Sequence, residues 1–256
     1  MFGKNKILKP ENHDGSSLAV QEIFATFQGE GPFVGYPSVF VRLGGCNLAC
    51  DFCDTEFDSF ASMSLSKIIT QILQLAKNET QEGLAGFDNN RNEASQEKLL
   101  RNLVVITGGE PLRQPIERLC KELIEHGFLV QIETNGTLFR ELPPEVKIIC
   151  SPKNVGAKHV AKDRESEEFD AFGYHKIRGD LLARLDAIKF IISASKLGYQ
   201  GFADVGQSIY NIPVYLQPMD EYDVEKNRAN MARVLELAAR QGARVSLQMH
   251  KILGIS

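Results

Sequence analysis

The chain has 256 residues, 43% of them hydrophobic, with 33 acidic and 29 basic side chains and a formal net charge of -4. That length supports one sizeable core as a single domain. The slight acidic excess, with no long Lys/Arg block, excludes the footprint of a nucleic-acid binder and favours a small-molecule substrate. No segment is apolar for long enough to form a secretory signal or a membrane span, so the chain is expected to be cytoplasmic, without membrane contact and with reduced thiols.

Taken in chain order, strands are predicted at 39–43, 103–107, 128–133, 146–150, 187–192, 213–217 and 244–248. Several are nearly continuous apolar runs, as parallel strands covered on both faces should be. Between them, Leu65, Ile68, Ile69, Ile72 and Ala76 share one helical face. Ile116, Leu119, Cys120, Leu123 and Ile124 share another, which makes Cys120 a core residue. A third helix, over about 223–240, is expected to bury Met231, Val234, Leu235 and Ala238, with Asp223 as its N-cap and Gly242 just past its end. This alternation predicts an α/β protein, a barrel or open parallel sheet, in one domain over 1–256. Two polar stretches, about 78–96 and 154–179, read as surface insertions.

The segment GGCNLACDFCDT follows the first predicted strand, at the end where βα barrels place their chemistry. Its thiols Cys46, Cys50 and Cys53 are spaced for one short loop to wrap an iron–sulfur cluster. Electron carriers usually use four protein ligands. Three leave one iron open to a small molecule, which implies catalysis. A structural zinc knot needs a fourth ligand, which His250 would supply only if the chain folded back. Cys150 ends the apolar run VKIIC and reads as a buried strand-end thiol.

Further turns follow predicted strands. In Thr107-Gly108-Gly109-Glu110-Pro111 the glycines permit close backbone approach and Glu110 can accept from an ammonium group; alone, the motif is only a strand-to-helix turn. Ser151-Pro152-Lys153 and Gln217-Pro218-Met219-Asp220 would reach the same mouth in a parallel barrel. Arg42 shares a strand face with Phe40, where its fork could hold a carboxylate or pair with Glu30 or Glu133.

CxxxCxxC resembles the cluster motif of the radical S-adenosylmethionine superfamily, and EIFATFQGEGPFVGYPSVFVRLGGCNLACDFCDT is similar to the 7-carboxy-7-deazaguanine synthase family within it. The likeness continues through TGGEP, ETNGT, SPK, LQPMD and QMHKILGI, over almost the whole chain outside the first residues and the two insertions. It implies a partial, incomplete TIM-like βα barrel with parallel strands, and a 4Fe-4S cluster on Cys46, Cys50 and Cys53 that chelates S-adenosylmethionine. A 5′-deoxyadenosyl radical would take a hydrogen atom from 6-carboxy-5,6,7,8-tetrahydropterin, whose ring contracts with loss of ammonia to 7-carboxy-7-deazaguanine in queuosine biosynthesis. The enzyme is then a carbon–nitrogen lyase whose radical is carried by the cofactor, with no catalytic residue assigned on the protein.

By the same resemblance the cofactor would be held by Phe52, Cys53, Asp54, Gly109, Glu110, Ser151, Pro152, Lys153, Gln217, Pro218, Met219 and Asp220. Substrate would meet Phe27, Gln28, Gly29, Glu30, Arg42, Thr107, Glu133 and His250, with Ser256 standing where the family often ends in proline. Thr55 would coordinate Mg2+ touching the substrate. The resemblance also implies an external, flavodoxin-like one-electron reductant and a homodimer. The alternatives are a glycyl-radical-activating enzyme, which the QGEG and QMHK blocks oppose, and a non-enzymatic iron–sulfur electron carrier.

Overall fold

A computed structural model of the chain describes residues 5–50, 53, 59–77, 99–154, 173–174 and 176–255. Its strands are β1 (Ser17–Phe27), β2 (Pro37–Leu43), β3 (Ala61–Ser64), β4 (Leu103–Gly108), β5 (Leu129–Thr134), β6 (Lys147–Cys150), β7 (Ala187–Ile192), β8 (Val214–Pro218) and β9 (Arg244–Val245). They form one sheet in the order β3-β1-β2-β4-β5-β6-β7-β8-β9. From β2 to β9 every pairing is parallel, and the helices α1 (Leu65–Lys77), α2 (Glu117–Glu125), α3 (Gly179–Leu182) and α4 (Val224–Gln241) lie in the connections between them. Among the described residues β9 does not pair back onto β3, so the βα barrel is incomplete.

The sequence reading placed no strand at β1 or β3, both antiparallel. Ser17–Phe27 intersperses buried positions with half-buried ones and polar residues, and Ala61–Ser64 carries little apolar signal. Both lie at one edge of the sheet, where no continuous apolar run is required.

Side-chain alternation sorts the strands into two faces. Val41, Ile106, Ile132, Ile148, Phe190 and Leu216 belong to the main core, together with Ile68, Ile72, Leu119, Cys120 and Leu123 from α1 and α2. Each large aliphatic side chain buried there contributes roughly 1.5–3 kcal/mol. The intervening positions Phe40, Arg42, Thr107, Glu133, Lys189, Ile191 and Gln217 line the interior cavity. One register therefore both builds the core and selects the site.

Helix α4 is capped as expected: the Asp223 carboxylate accepts from Lys226 N at 3.0 Å, and Gly242 is left-handed at φ 69°. Its buried face is turned from the predicted one. Val234 and Ala238 are buried, with Asn230 and Leu237, whereas Met231 is half-buried and Leu235 is 52% exposed. The Asn230 amide donates to the Met219 carbonyl at 2.9 Å and its oxygen accepts from Ala194 N at 2.7 Å, so a satisfied polar residue faces the sheet.

The gap between the first and last strands is bridged. After β1 the chain turns inward, where Phe33 packs on Ile149, Ala187 and Tyr215. Gly31 N donates to the Ser246 hydroxyl at 3.0 Å, and Met249 N, opening α5 (Met249–Leu253), donates to the Gly29 carbonyl at 3.0 Å. The run expected as a strand over 244–248 therefore stops at Val245. No described helix is long and apolar enough to cross a membrane.

Candidate active site

Strand β2 runs into Gly44-Gly45-Cys46 at its C-terminal end. This turn is held from below by Arg113, whose buried guanidinium donates to the Gly44 carbonyl (3.0 Å), the Lys9 carbonyl (3.3 Å) and the Glu11 carboxylate (2.6 Å). The segment so anchored lies along the turn: Leu8 N donates to the Cys46 carbonyl at 2.8 Å, and the Asn5 amide reaches the Cys53 sulfur at 3.7 Å. Cys46, Cys50 and Cys53 all line one cavity of about 350 Å³, as does His250. Phe52, Asp54, Thr55 and Ser256 lie outside the described residues.

Burial, with a smaller push from the Glu110 carboxylate, drives the Cys46 thiol up to about 11. A thiolate ligand there has to be stabilised by the positive charge of the metal it binds.

The turn after β4 also touches the cysteine turn through its backbone. Gly109 N donates to the Leu43 carbonyl at 3.0 Å and Glu110 N to the Gly45 carbonyl at 3.1 Å. A Cβ at Gly109 would lie 1.9 Å from that same Gly45 oxygen, so glycine is required. Thr107 and Gly109 line the cavity.

Glu110 does not. Its fully buried carboxylate accepts from Leu112 N (3.0 Å), the Thr134 hydroxyl (2.7 Å) and Asn135 N (2.7 Å). Burial raises its pKa despite those donors. The expectation that it receives an ammonium group is corrected: it caps the turn that follows and fastens β4 to the loop after β5.

Ser151 and Lys153 line the cavity, the lysine bent back onto the Ser151 hydroxyl at 2.7 Å, whereas Pro152 between them does not. Gln217 and Pro218 end β8, and Met219 and Asp220 follow it, all four lining the same cavity. Burial pushes the Asp220 carboxyl up, but bonds from Lys251 (2.6 Å), Tyr222 N (2.9 Å) and the Asn227 amide (2.8 Å) outweigh it and hold it at about 2.

Phe27, Gln28, Gly29 and Glu30 form the wall beneath His250. A Cβ on Gly29 would meet the His250 ring nitrogen Nδ1 at 2.4 Å. Arg42 also lines the cavity but takes a partner the sequence reading did not name: Glu22, its register neighbour on β1, at 2.6 Å, with the guanidinium 5.5 Å from the Phe24 ring centre.

Glu30 and Glu133 pair instead with Lys189, which the sequence reading missed. The Lys189 ammonium donates to Glu30 Oε2 and, at 3.1 Å, to Glu133 Oε2. Burial pushes the Glu30 carboxyl up but the ammonium prevails, holding it at about 2. Glu133 ends with its pKa raised, burial outweighing Lys189 while the charge of Glu30 adds to the rise. Burial works against the Lys189 ammonium as well, yet the two carboxylates raise its pKa. Two acids sharing one base is the electrostatic signature of the cavity.

Residues 40–189 match the Radical SAM superfamily. The 7-carboxy-7-deazaguanine synthase of Rickettsia prowazekii (strain Madrid E) is 49% identical over 255 residues, covering 100% of this chain and 96% of that one. The chain belongs to that family.

The Rhodospirillum rubrum synthase is 36% identical over 275 residues and the full length of both chains. The crystal structure of QueE from Escherichia coli, 22% identical, shares the fold with a TM-score of 0.60 over 91% of this chain and 95% of that one. Membership in the radical SAM superfamily brings a 4Fe-4S cluster and S-adenosylmethionine as cofactors, and the described residues suit both. Three soft thiol donors line one cavity, beside a glycine turn too tight for any Cβ.

Proposed function

We propose that this radical SAM enzyme converts 6-carboxy-5,6,7,8-tetrahydropterin to 7-carboxy-7-deazaguanine with loss of ammonia, using the cavity described above. The observation that carries the reading is that a single cavity is lined by the three cysteines, Arg42, Glu30 and Glu133. When bound, the cluster and S-adenosylmethionine supply one-electron hydrogen-atom abstraction. The chain's own part is to bind, orient and keep water away.

Cys46, Cys50 and Cys53 would hold the cluster, and Gly109, Ser151, Lys153 and the stretch from Gln217 to Asp220 would hold the cofactor. Their position on one cavity wall supports this. Phe52 and Asp54 are proposed beside them by family likeness. Arg42, resting on Phe24, suits the substrate carboxylate, since a planar guanidinium binds carboxylates through two parallel bonds. Glu30 and Glu133 are acceptors for ring N–H groups, with Phe27, Gln28, Gly29, Thr107 and His250 around them.

Family likeness further supports Mg2+ on Thr55, a substrate contact by Ser256, a flavodoxin-type reductant, a homodimer and a cytoplasmic setting. The decisive experiment incubates reconstituted protein with the carboxytetrahydropterin, S-adenosylmethionine and reductant. The deazaguanine acid is the expected product, and cofactor turnover without it would sink the reading.

A further inference from the structure

Lys189 has no part in the roles set out above, yet it stands mid-strand in β7, its side chain 6% exposed, on the cavity face rather than the core face. A lysine serving the fold alone would be matched one to one, because each uncompensated buried ion costs several kcal/mol. Here one ammonium serves two carboxylates. The other cations along the cavity are turned to partners of their own: Arg42 to Glu22 at 2.6 Å, Lys251 to Asp220 at 2.6 Å and Lys153 to the Ser151 hydroxyl at 2.7 Å.

The two acids are otherwise held by neutral amides. Glu30 Oε1 accepts from Gln217 at 3.1 Å and Gln248 at 3.0 Å, while Glu133 Oε1 accepts from Gln131 at 2.7 Å. An ionised carboxylate has about four lone-pair sites, so each keeps acceptor capacity for a ligand. What fits is a neutral molecule with adjacent N–H groups. The 2-amino-4-oxopyrimidine edge of a pterin is such a group, and its neighbouring N–H donors can be shared between the two carboxylates, each of which keeps about one lone-pair site on the oxygen that faces Lys189.

We propose that Lys189 is a positioning residue for the substrate: bonded to Glu30 and Glu133 at once, its ammonium holds the two carboxylates as paired acceptors for the N–H edge of the pterin ring. This rests on the carboxypterin reading and specifies how that ring is recognised. The lysine also governs protonation. Without it, each carboxylate loses the cation that opposes its protonation, and a protonated one would be a donor where an acceptor is needed. The remaining groups facing the pair are His250 and Lys153, whose charges act on Glu30 and Glu133 respectively, and the Cys150 thiol on β6.

The test uses reconstituted holoenzyme. Wild type, Lys189→Met and Lys189→Arg are titrated with 6-carboxy-5,6,7,8-tetrahydropterin between about pH 6 and pH 9, with S-adenosylmethionine affinity and iron content measured on the same samples. K189M is expected to bind the pterin about tenfold or more weakly, with a pH dependence absent from wild type, and to bind S-adenosylmethionine within about twofold of wild type. K189R should fall between the two. Unchanged pterin affinity and pH profile in K189M would overturn the proposal. Should K189M not fold, K189R decides alone: it must weaken pterin binding more than S-adenosylmethionine binding, and equal effects would overturn the proposal. Wild type that does not bind the pterin defeats the functional reading itself, whereas wild type and K189M that bind it equally defeat only the role of Lys189.

Discussion

The Arg113 guanidinium donates to the Gly44 carbonyl at 3.0 Å, two residues before the first cysteine of the site. Arg113 is 1% exposed and also bonds Glu11, so it ties the segment ahead of β1 to the cysteine turn. Arg113→Met should destabilise the fold by about 1–3 kcal/mol, because it removes the buried donor that joins the Gly44 and Lys9 carbonyls to the Glu11 carboxylate. Urea unfolding measures the loss, and iron retention should fall with it.

Cys50→Ala should abolish cofactor cleavage and strip iron, since a three-thiolate cluster has no spare ligand. Iron and sulfide analysis after reconstitution checks this, and cleavage retained at wild-type rate would contradict it.

Gly109→Ala places a methyl group 1.9 Å from the Gly45 carbonyl. Neither backbone segment can yield without breaking the bonds from Gly109 N to Leu43 and from Glu110 N to Gly45. Protein that still folds should incorporate iron poorly, a result that absorbance and metal content report directly.

Asp223→Ala removes the N-cap of α4, three residues beyond the cavity-lining Asp220, and its side chain does not line the cavity. A loss of about 1 kcal/mol in denaturant unfolding, with cofactor affinity unchanged, is expected.

Asp220 gives a pH test with a definite sign. Its folded pKa of about 2 lies below the ordinary 3.8. The stabilisation is therefore complete above pH 3.8 and is lost as pH falls from 3.8 towards about 2. Asp220→Asn should flatten that limb of an acid-unfolding curve followed by circular dichroism, and an identical slope would show the carboxylate to be irrelevant there.

The parallel strands were legible because burial on both faces writes itself as apolar runs, and the CxxxCxxC loop because three thiols so close together have few uses. β1 and β3 were not legible, because antiparallel strands at the margin of the sheet need no such runs. Leu235 and Leu237 exchanged roles because hydropathy alone does not register that Asn230 can be satisfied inside. Glu110 was assigned to the cavity from its motif, whereas its side chain is claimed by the backbone of the neighbouring loop. Lys189 left a readable trace: a lone charge inside the run AIKFII, which the apolar average of that strand concealed.

The strap from Gln28 to Phe33 also sets a timetable for synthesis. Glu30 leaves the ribosome early, but its partners Lys189, Gln217 and Gln248 follow 159, 187 and 218 residues later. The sheet can begin to form while translation continues, because its parallel strands pair largely in chain order. The cavity floor must wait for residues up to Met249, whose amide fixes Gly29. A chain arrested before that point can carry all three cysteines and part of the barrel, yet it lacks the contacts that fasten the substrate-facing wall.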